Sequence, residues 1–131
     1  MSITLNQANR VLRAAIAKAA DLNIKVTAAV VDAGGRLVAL QRMDGAIWGS
    51  AYGSQGKAVA SAAFGRTSGE MSARADQPTP RGIAQASGGE MIMGQGAVPI
   101  LRDGVVIGAC GVGGGTSQED EDCARAGVAK L

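Results

Sequence analysis

Three charged side chains lie where the sequence pattern suggests chemistry on a small molecule. Lys57 is in the middle of a segment rich in Gly and Ala. Burial there would favour the uncharged amine, which could act as a base; alternatively, the ammonium could hold a carboxylate or phosphate. Arg42 and Asp44 belong to an Arg-Met-Asp-Gly turn, in which Arg42 could bind a carboxylate through its fork and Asp44 could orient Arg42 or Lys57. The structural alternatives are a solvated helix face or inter-subunit ion pair for Lys57, and a salt bridge at a hairpin end with an Asx-type turn for the other two.

A glycine-rich stretch between residues 87 and 98 supplies the remaining candidates. Its exposed backbone amides could line a pocket, and Glu90 could act as a general acid or base if Met91 and Met93 favour its protonated form. An ordinary loop carboxylate is the alternative. The candidate catalytic residues are Lys57, Glu90 and Asp44, and the candidate ligand-binding residues are Arg42, Lys57, Tyr52, Ser87, Gly88, Gly96 and Val98.

Composition excludes several classes of function. Thirteen Lys and Arg against eleven Asp and Glu give a net charge of +2 without a basic run, and one Phe, one Trp and one Tyr offer few stacking surfaces, so we expect no nucleic-acid partner. The chain has no histidine, which excludes Ser-His-Asp and Cys-His catalysis. Cys110 and Cys123 cannot supply the four ligands of a thiolate zinc site, so we expect no metal and two small buried side chains.

The sequence also predicts where the protein works. No stretch reaches the roughly 18 apolar residues of a membrane span, and Arg10, Arg13 and Lys18 interrupt the amphipathic N-terminal segment, which lacks a signal core. We therefore expect a cytoplasmic protein without a membrane partner. The length of 131 residues suits one domain over residues 1–131.

Turn and capping signals divide the chain into elements. Capping boxes predict three helix starts, at Thr4 with Gln7, Thr67 with Glu70, and Thr116 with Glu119. The first helix should run from Leu5 to Leu22, with a left-handed Asn23 after it, and another should span about 47–64 and end at Gly65. Glycine weakens that second helix, so it must gain from close approach to a sheet, a subunit or a ligand.

Two hairpins account for the predicted strands. KVTAAVVD and RLVALQR flank Asp32-Ala33-Gly34-Gly35, and two aliphatic runs flank Asp103-Gly104. Residues 76–96 should be a long ordered loop that includes one turn of helix or a short strand at MIM. The glycines from Gly111 to Gly115 indicate close strand packing more than an anion cradle, because four acids follow them. Hairpin-linked strands among helices predict an α+β fold.

Several segments resemble the GlcG/HbpS-like family, which includes the C-terminal domain of PduO-type proteins. They are VTAAVVDAGGRLVALQRMDGA, KAVASAAFGR and GAVPILRDGVVIGACGVGGGTSQEDEDCARAGVAKL. The resemblance implies a profilin-like domain with an antiparallel sheet of about five strands, assembling into dimers and often into rings or octamers. Lys57 matches the family's characteristic lysine, whereas Ala97 and Gly113 depart from its usual pattern.

The resemblance also implies haem or another small molecule as ligand. The absence of histidine removes the commonest axial haem ligand. The remaining possible iron ligands, each of which could instead be a packing or surface residue, are Tyr52, Met43, Met91, Met93, Cys110, Cys123 and Lys57.

Three hypotheses of function follow. The first is a homo-oligomeric accessory protein that binds a tetrapyrrole or a small anionic organic molecule near Lys57, Arg42 and residues 87–98. The second is a cofactor-independent isomerase, lyase or hydrolase of small-molecule catabolism that uses Lys57 with Glu90 or Asp44. The third assigns the Gly- and Ala-rich helix to an oligomer interface without a ligand.

Overall fold

Five helices and four strands make up the fold in the computed structural model, which describes residues 1–131. In chain order they are α1 (Leu5–Asp21), β1 (Thr27–Asp32), β2 (Leu37–Arg42), α2 (Gly49–Phe64), α3 (Ser68–Ser72), α4 (Pro78–Ala86), β3 (Ala97–Arg102), β4 (Val105–Gly113) and α5 (Ser117–Val128).

The strands form one antiparallel sheet in the order β2-β1-β4-β3, with helices on both faces. Helices α1 and α5 cover one face and enclose the larger apolar core, while α2 covers the other. Consecutive residues of β1 belong to different cores, since Val30 lies on the α1 side and Val31 on the α2 side. The predicted α+β fold is confirmed, and β1 is covered on both sides.

The ends of the elements follow the local signals of the sequence. All three capping boxes are present, and Asn23 and Gly65 take left-handed conformations with φ of 58° and 65°. Asp103 and Gly104 both have positive φ in the turn between β3 and β4, as a tight hairpin turn requires. No helix combines the length and apolar character that crossing a bilayer requires.

The segment 76–96 differs from the prediction of an irregular loop, because it contains the nine-residue helix α4. Pro78 and Pro80 lie in its first turn, where the backbone N–H groups have no partner within the helix, so neither proline costs a hydrogen bond. The sheet also has four strands rather than about five. Residues 91–93 form no strand, and the N–H of Ile92 donates to the carbonyl oxygen of Gly56 in α2 (2.9 Å) instead of to a sheet edge.

Glycine in β4 lets α2 lie directly on the sheet. A Cβ atom at Gly111 would overlap the carbonyl oxygen of Ser54 and lie 2.8 Å from the amide nitrogen of Ala58, so only a residue without a side chain fits. The close approach expected of this weak helix is therefore its contact with the sheet. This contact determines which side of α2 faces away from the sheet.

Candidate functional site

A cleft of about 380 Å³ lies along the free side of α2, between the β1–β2 turn and residues 89–92. Its volume is within the range of small-molecule sites, and its lining combines apolar and polar groups. The lining residues are Gly35, Arg36, Leu37, Tyr52, Gln55, Gly56, Val59, Gly89, Glu90 and Ile92.

One wall of the cleft is held against α2 by a close backbone contact. In addition to the hydrogen bond from Ile92 to the Gly56 carbonyl, the side chain of Ile92 lies so near that a Cβ at Gly56 would be 2.6 Å from it. Gly56 therefore provides the space in which residues 89–92 approach the helix.

Aromatic side chains stand at the mouth of the cleft. Trp48 and Tyr52 are each 72% exposed, and their rings meet edge to face with centroids 6.1 Å apart. Ile47 beside them is also exposed. Such a surface suits contact with an apolar molecule or with another subunit.

An ion pair crosses the cleft between its two walls. The guanidinium of Arg36 donates to Glu90 Oε2 at 2.9 Å, and both side chains are largely accessible to water. Glu90 and Tyr52 are thus the two predicted site residues that line this cleft. Glu90 also lines an adjoining cavity of about 260 Å³ together with Ser87, another predicted residue.

Lys57 occupies a separate, buried position. Its residue is 8% exposed, its ammonium donates to Asp120 Oδ2 at 3.1 Å and to the carbonyl of Gln95 at 3.4 Å, and it lines none of the three main cavities. Its carboxylate partner is Asp120 and not Glu90 or Asp44, the two partners expected from the sequence. Gly96 lies against this group, since a Cβ there would be 2.5 Å from the Lys57 nitrogen.

The carboxylate of this pair is perturbed mainly by its burial. Loss of water raises the pKa of Asp120, and the opposing effects come from the Lys57 ammonium and from the Gly115 N–H, which donates to Asp120 Oδ1 at 2.8 Å. The pair joins α2 to the start of α5 and to the residues that precede β3.

The other predicted residues lie apart from the cleft. Arg42 and Asp44 are exposed at the end of β2, form no salt bridge and line none of the main cavities. Val98 is buried in β3 and borders a third cavity near α5. Gly88 has φ of 84° in the turn after α4, next to the cleft but outside its lining.

Both cysteines are free and buried, as predicted. Burial raises the pKa of Cys110 to about 12 and that of Cys123 to about 11. Burial therefore favours the neutral thiol at both positions.

Sequence reasoning missed Arg36, Gln55 and Asp120. Arg36 directly follows the Gly34-Gly35 turn, and a cation at the base of a predicted hairpin was the signal that could have identified it as a site residue. Asp120 is one of four consecutive acids, and a local pattern does not tell that Asp120 and Glu121 are the two that turn inward.

Comparisons with known proteins agree with this architecture. Residues 3–129 match the model of a family described as "Haem degrading protein HbpS-like". An uncharacterized 15.0 kDa protein of Citrobacter freundii, from the dhaT-dhaS intergenic region, is 35% identical over 121 residues, which are 91% of this chain and 84% of that protein.

Two crystal structures superimpose closely on the chain. A double mutant of HbpS from Streptomyces reticuli gives a TM-score of 0.89 at 27% identity, covering 100% of this chain and 88% of that one. A PduOC:heme complex gives 0.88 at 27% identity, covering 100% and 96%. With a family match over nearly its whole length, the chain belongs to the HbpS-like family.

Proposed function

We propose that this protein is a homo-oligomeric accessory protein that binds a small amphipathic molecule with a carboxylate, such as a tetrapyrrole, in the cleft beside α2. The observation that carries the proposal is the combination of an apolar floor, the cation of Arg36 and the exposed ring of Tyr52 in one cavity. An apolar floor takes up the body of such a molecule, and a guanidinium pairs with its carboxylate.

Haem is the tetrapyrrole that the family suggests, and the residues of the cleft are compatible with it. Tyr52 lines the cleft and is exposed, and tyrosine is a known axial ligand of haem iron. Four of the six other candidates are engaged elsewhere: Cys110 and Cys123 are buried thiols, Met43 Sδ accepts the Val26 N–H at 3.4 Å, and Lys57 holds Asp120. Met91 is buried beside the adjoining cavity, and Met93 packs against the smaller core. Bound haem would supply an iron centre with its own redox chemistry.

Binding is proposed in preference to turnover because of Lys57. The catalytic hypothesis needs its amine at a cavity with Glu90 or Asp44, whereas the ammonium is paired with Asp120 away from the three main cavities.

The proposed oligomer follows from the surface at the start of α2. Ile47, Trp48 and Tyr52 form an exposed apolar patch that a second copy or a ligand would remove from water. Sedimentation velocity over a range of concentrations should give a species larger than one chain, and a monomer at all concentrations would exclude this part of the proposal.

Titration with haem should produce a shifted Soret band that saturates at a fixed ratio. Tyr52→Phe keeps the ring and removes the oxygen, so we expect a different band and an affinity about tenfold lower. Absorption spectroscopy on both proteins, with melting curves to show that the variant is folded, makes the measurement.

Two results would contradict this prediction. Saturable binding with the same band and affinity in Tyr52→Phe would exclude the phenol as an iron ligand. An unchanged haem spectrum with the wild-type protein would exclude haem itself.

A further inference from the structure

The cleft and the adjoining cavity are two parts of one groove. They have volumes of about 380 and 260 Å³ and share four lining residues, and Arg36 and Glu90 are among them. The residues common to both are Gly35, Arg36, Val59 and Glu90.

One face of α2 forms the floor of both parts. The first part is lined by Tyr52, Gln55 and Val59, and the second by Val59, Ala62 and Ala63. Tyr52, Gln55, Val59 and Ala62 follow each other at intervals of three or four residues, and Ala63 is four residues from Val59. This spacing places them on one side of the helix. The eleven steps of about 1.5 Å from residue 52 to residue 63 make this floor about 16 Å long, enough for an extended or flat molecule.

The ion pair between Arg36 and Glu90 lies where the two parts meet. No other hydrogen bond holds the Glu90 carboxylate, and its side chain is 49% exposed. An added Cβ atom at Gly88 or Gly89, which precede it, would meet nothing within 4 Å, so this stretch of backbone is not held in place by packing at those two positions. An exposed pair of this kind contributes little free energy and can exchange partners.

We propose that Glu90 is an internal competitor for the carboxylate of the ligand. A ligand carboxylate takes the Arg36 guanidinium, Glu90 turns to solvent, and the groove along α2 is then open over its whole length. The inference deepens the proposed function and rests on it, because it uses the same cleft. It assigns the site to amphipathic molecules that carry a carboxylate. It also explains why the acidic side chain of Glu90 lies in a site that binds an acidic ligand.

Two probes and three variants test this mechanism. The probes are metal-free protoporphyrin IX, which has carboxylates, and its dimethyl ester, which has none. Glu90→Gln should bind protoporphyrin IX up to about fivefold more tightly, since that is the range by which an exposed ion pair can compete. The ester should bind the variant and the wild-type protein equally.

Arg36→Gln should weaken protoporphyrin IX binding several-fold, and adding Glu90→Gln to it should cause no further change. The matched control is Glu70→Gln, because Glu70 forms the other exposed ion pair of comparable accessibility, with Arg66 at 3.5 Å, and it lies outside the groove. It should leave both affinities unchanged. Fluorescence of the porphyrin measures binding in each case.

The possible outcomes distinguish a failure of the competitor role of Glu90 from a failure of the proposed binding function. If the wild-type protein binds protoporphyrin IX and Glu90→Gln binds it equally or more weakly, the competitor role is excluded and the proposed function stands. An equal gain for the ester would also exclude it, because the effect would not depend on a carboxylate. If neither porphyrin binds to any of these proteins, tetrapyrrole binding and the competitor role both fail.

Discussion

Replacing Gly111 with alanine is expected to lower the free energy of unfolding by at least about 3 kcal/mol, or to prevent folding. The added methyl group would overlap the Ser54 carbonyl and press on the amide nitrogen of Ala58. Both atoms belong to the backbone of α2, so no side-chain rotation relieves the contact. The helix would have to move away from the sheet, and the smaller core around Val31 and Ala109 would open.

Gly82→Ala is the matched control for this experiment. Gly82 lies inside α4, and a Cβ there would have nothing within 4 Å, so alanine should stabilise the helix by about 0.5–1 kcal/mol. Urea unfolding of both variants followed by circular dichroism makes the comparison. A Gly111→Ala protein as stable as the wild type would show that α2 does not lie as close to β4 as described.

Lys57→Met is expected to destabilise the protein by about 3 kcal/mol. The substitution keeps the volume of the side chain and removes its charge, which leaves Asp120 buried without its cation. An unpaired buried carboxylate costs more than the pair contributed, because its water is not restored.

The double variant Lys57→Met/Asp120→Leu distinguishes this explanation from simple loss of packing. Removing both charges should recover most of the lost stability, as it does for other buried pairs replaced by apolar groups. Denaturant unfolding of the two single variants and the double variant gives the coupling free energy. Additive losses in the double variant would show that Lys57 and Asp120 act independently.

Much of the fold could be predicted because its signals are local. A capping box needs two residues three positions apart, and the Asp103-Gly104 turn needs two neighbours, so Thr4, Thr67, Thr116 and this turn were all found in the sequence. Helix α4 was missed because its two prolines and Gly82 favour a loop when they are counted as helix breakers. Their positions matter more than their number, since proline fits the first turn of a helix.

The candidate site was only partly predictable because it depends on contacts between distant segments. Arg36 and Glu90 are 54 residues apart, and Lys57 and Asp120 are 63 residues apart. Residue type showed that Lys57 and Glu90 could do chemistry, but the packing of α2 decided which of them faces a cavity. The glycines at positions 56 and 111, which carry no functional group, set that packing on opposite sides of the helix.

The aromatic pair at the mouth of the cleft provides an intrinsic fluorescent probe of ligand binding. Trp48 is the only tryptophan of the chain, and its indole is already largely hydrated in the native state. Its emission should therefore change little when the chain unfolds, while an absorbing molecule seated against Tyr52 would quench it by energy transfer. Intrinsic fluorescence thus separates occupancy of the cleft from loss of structure without a label.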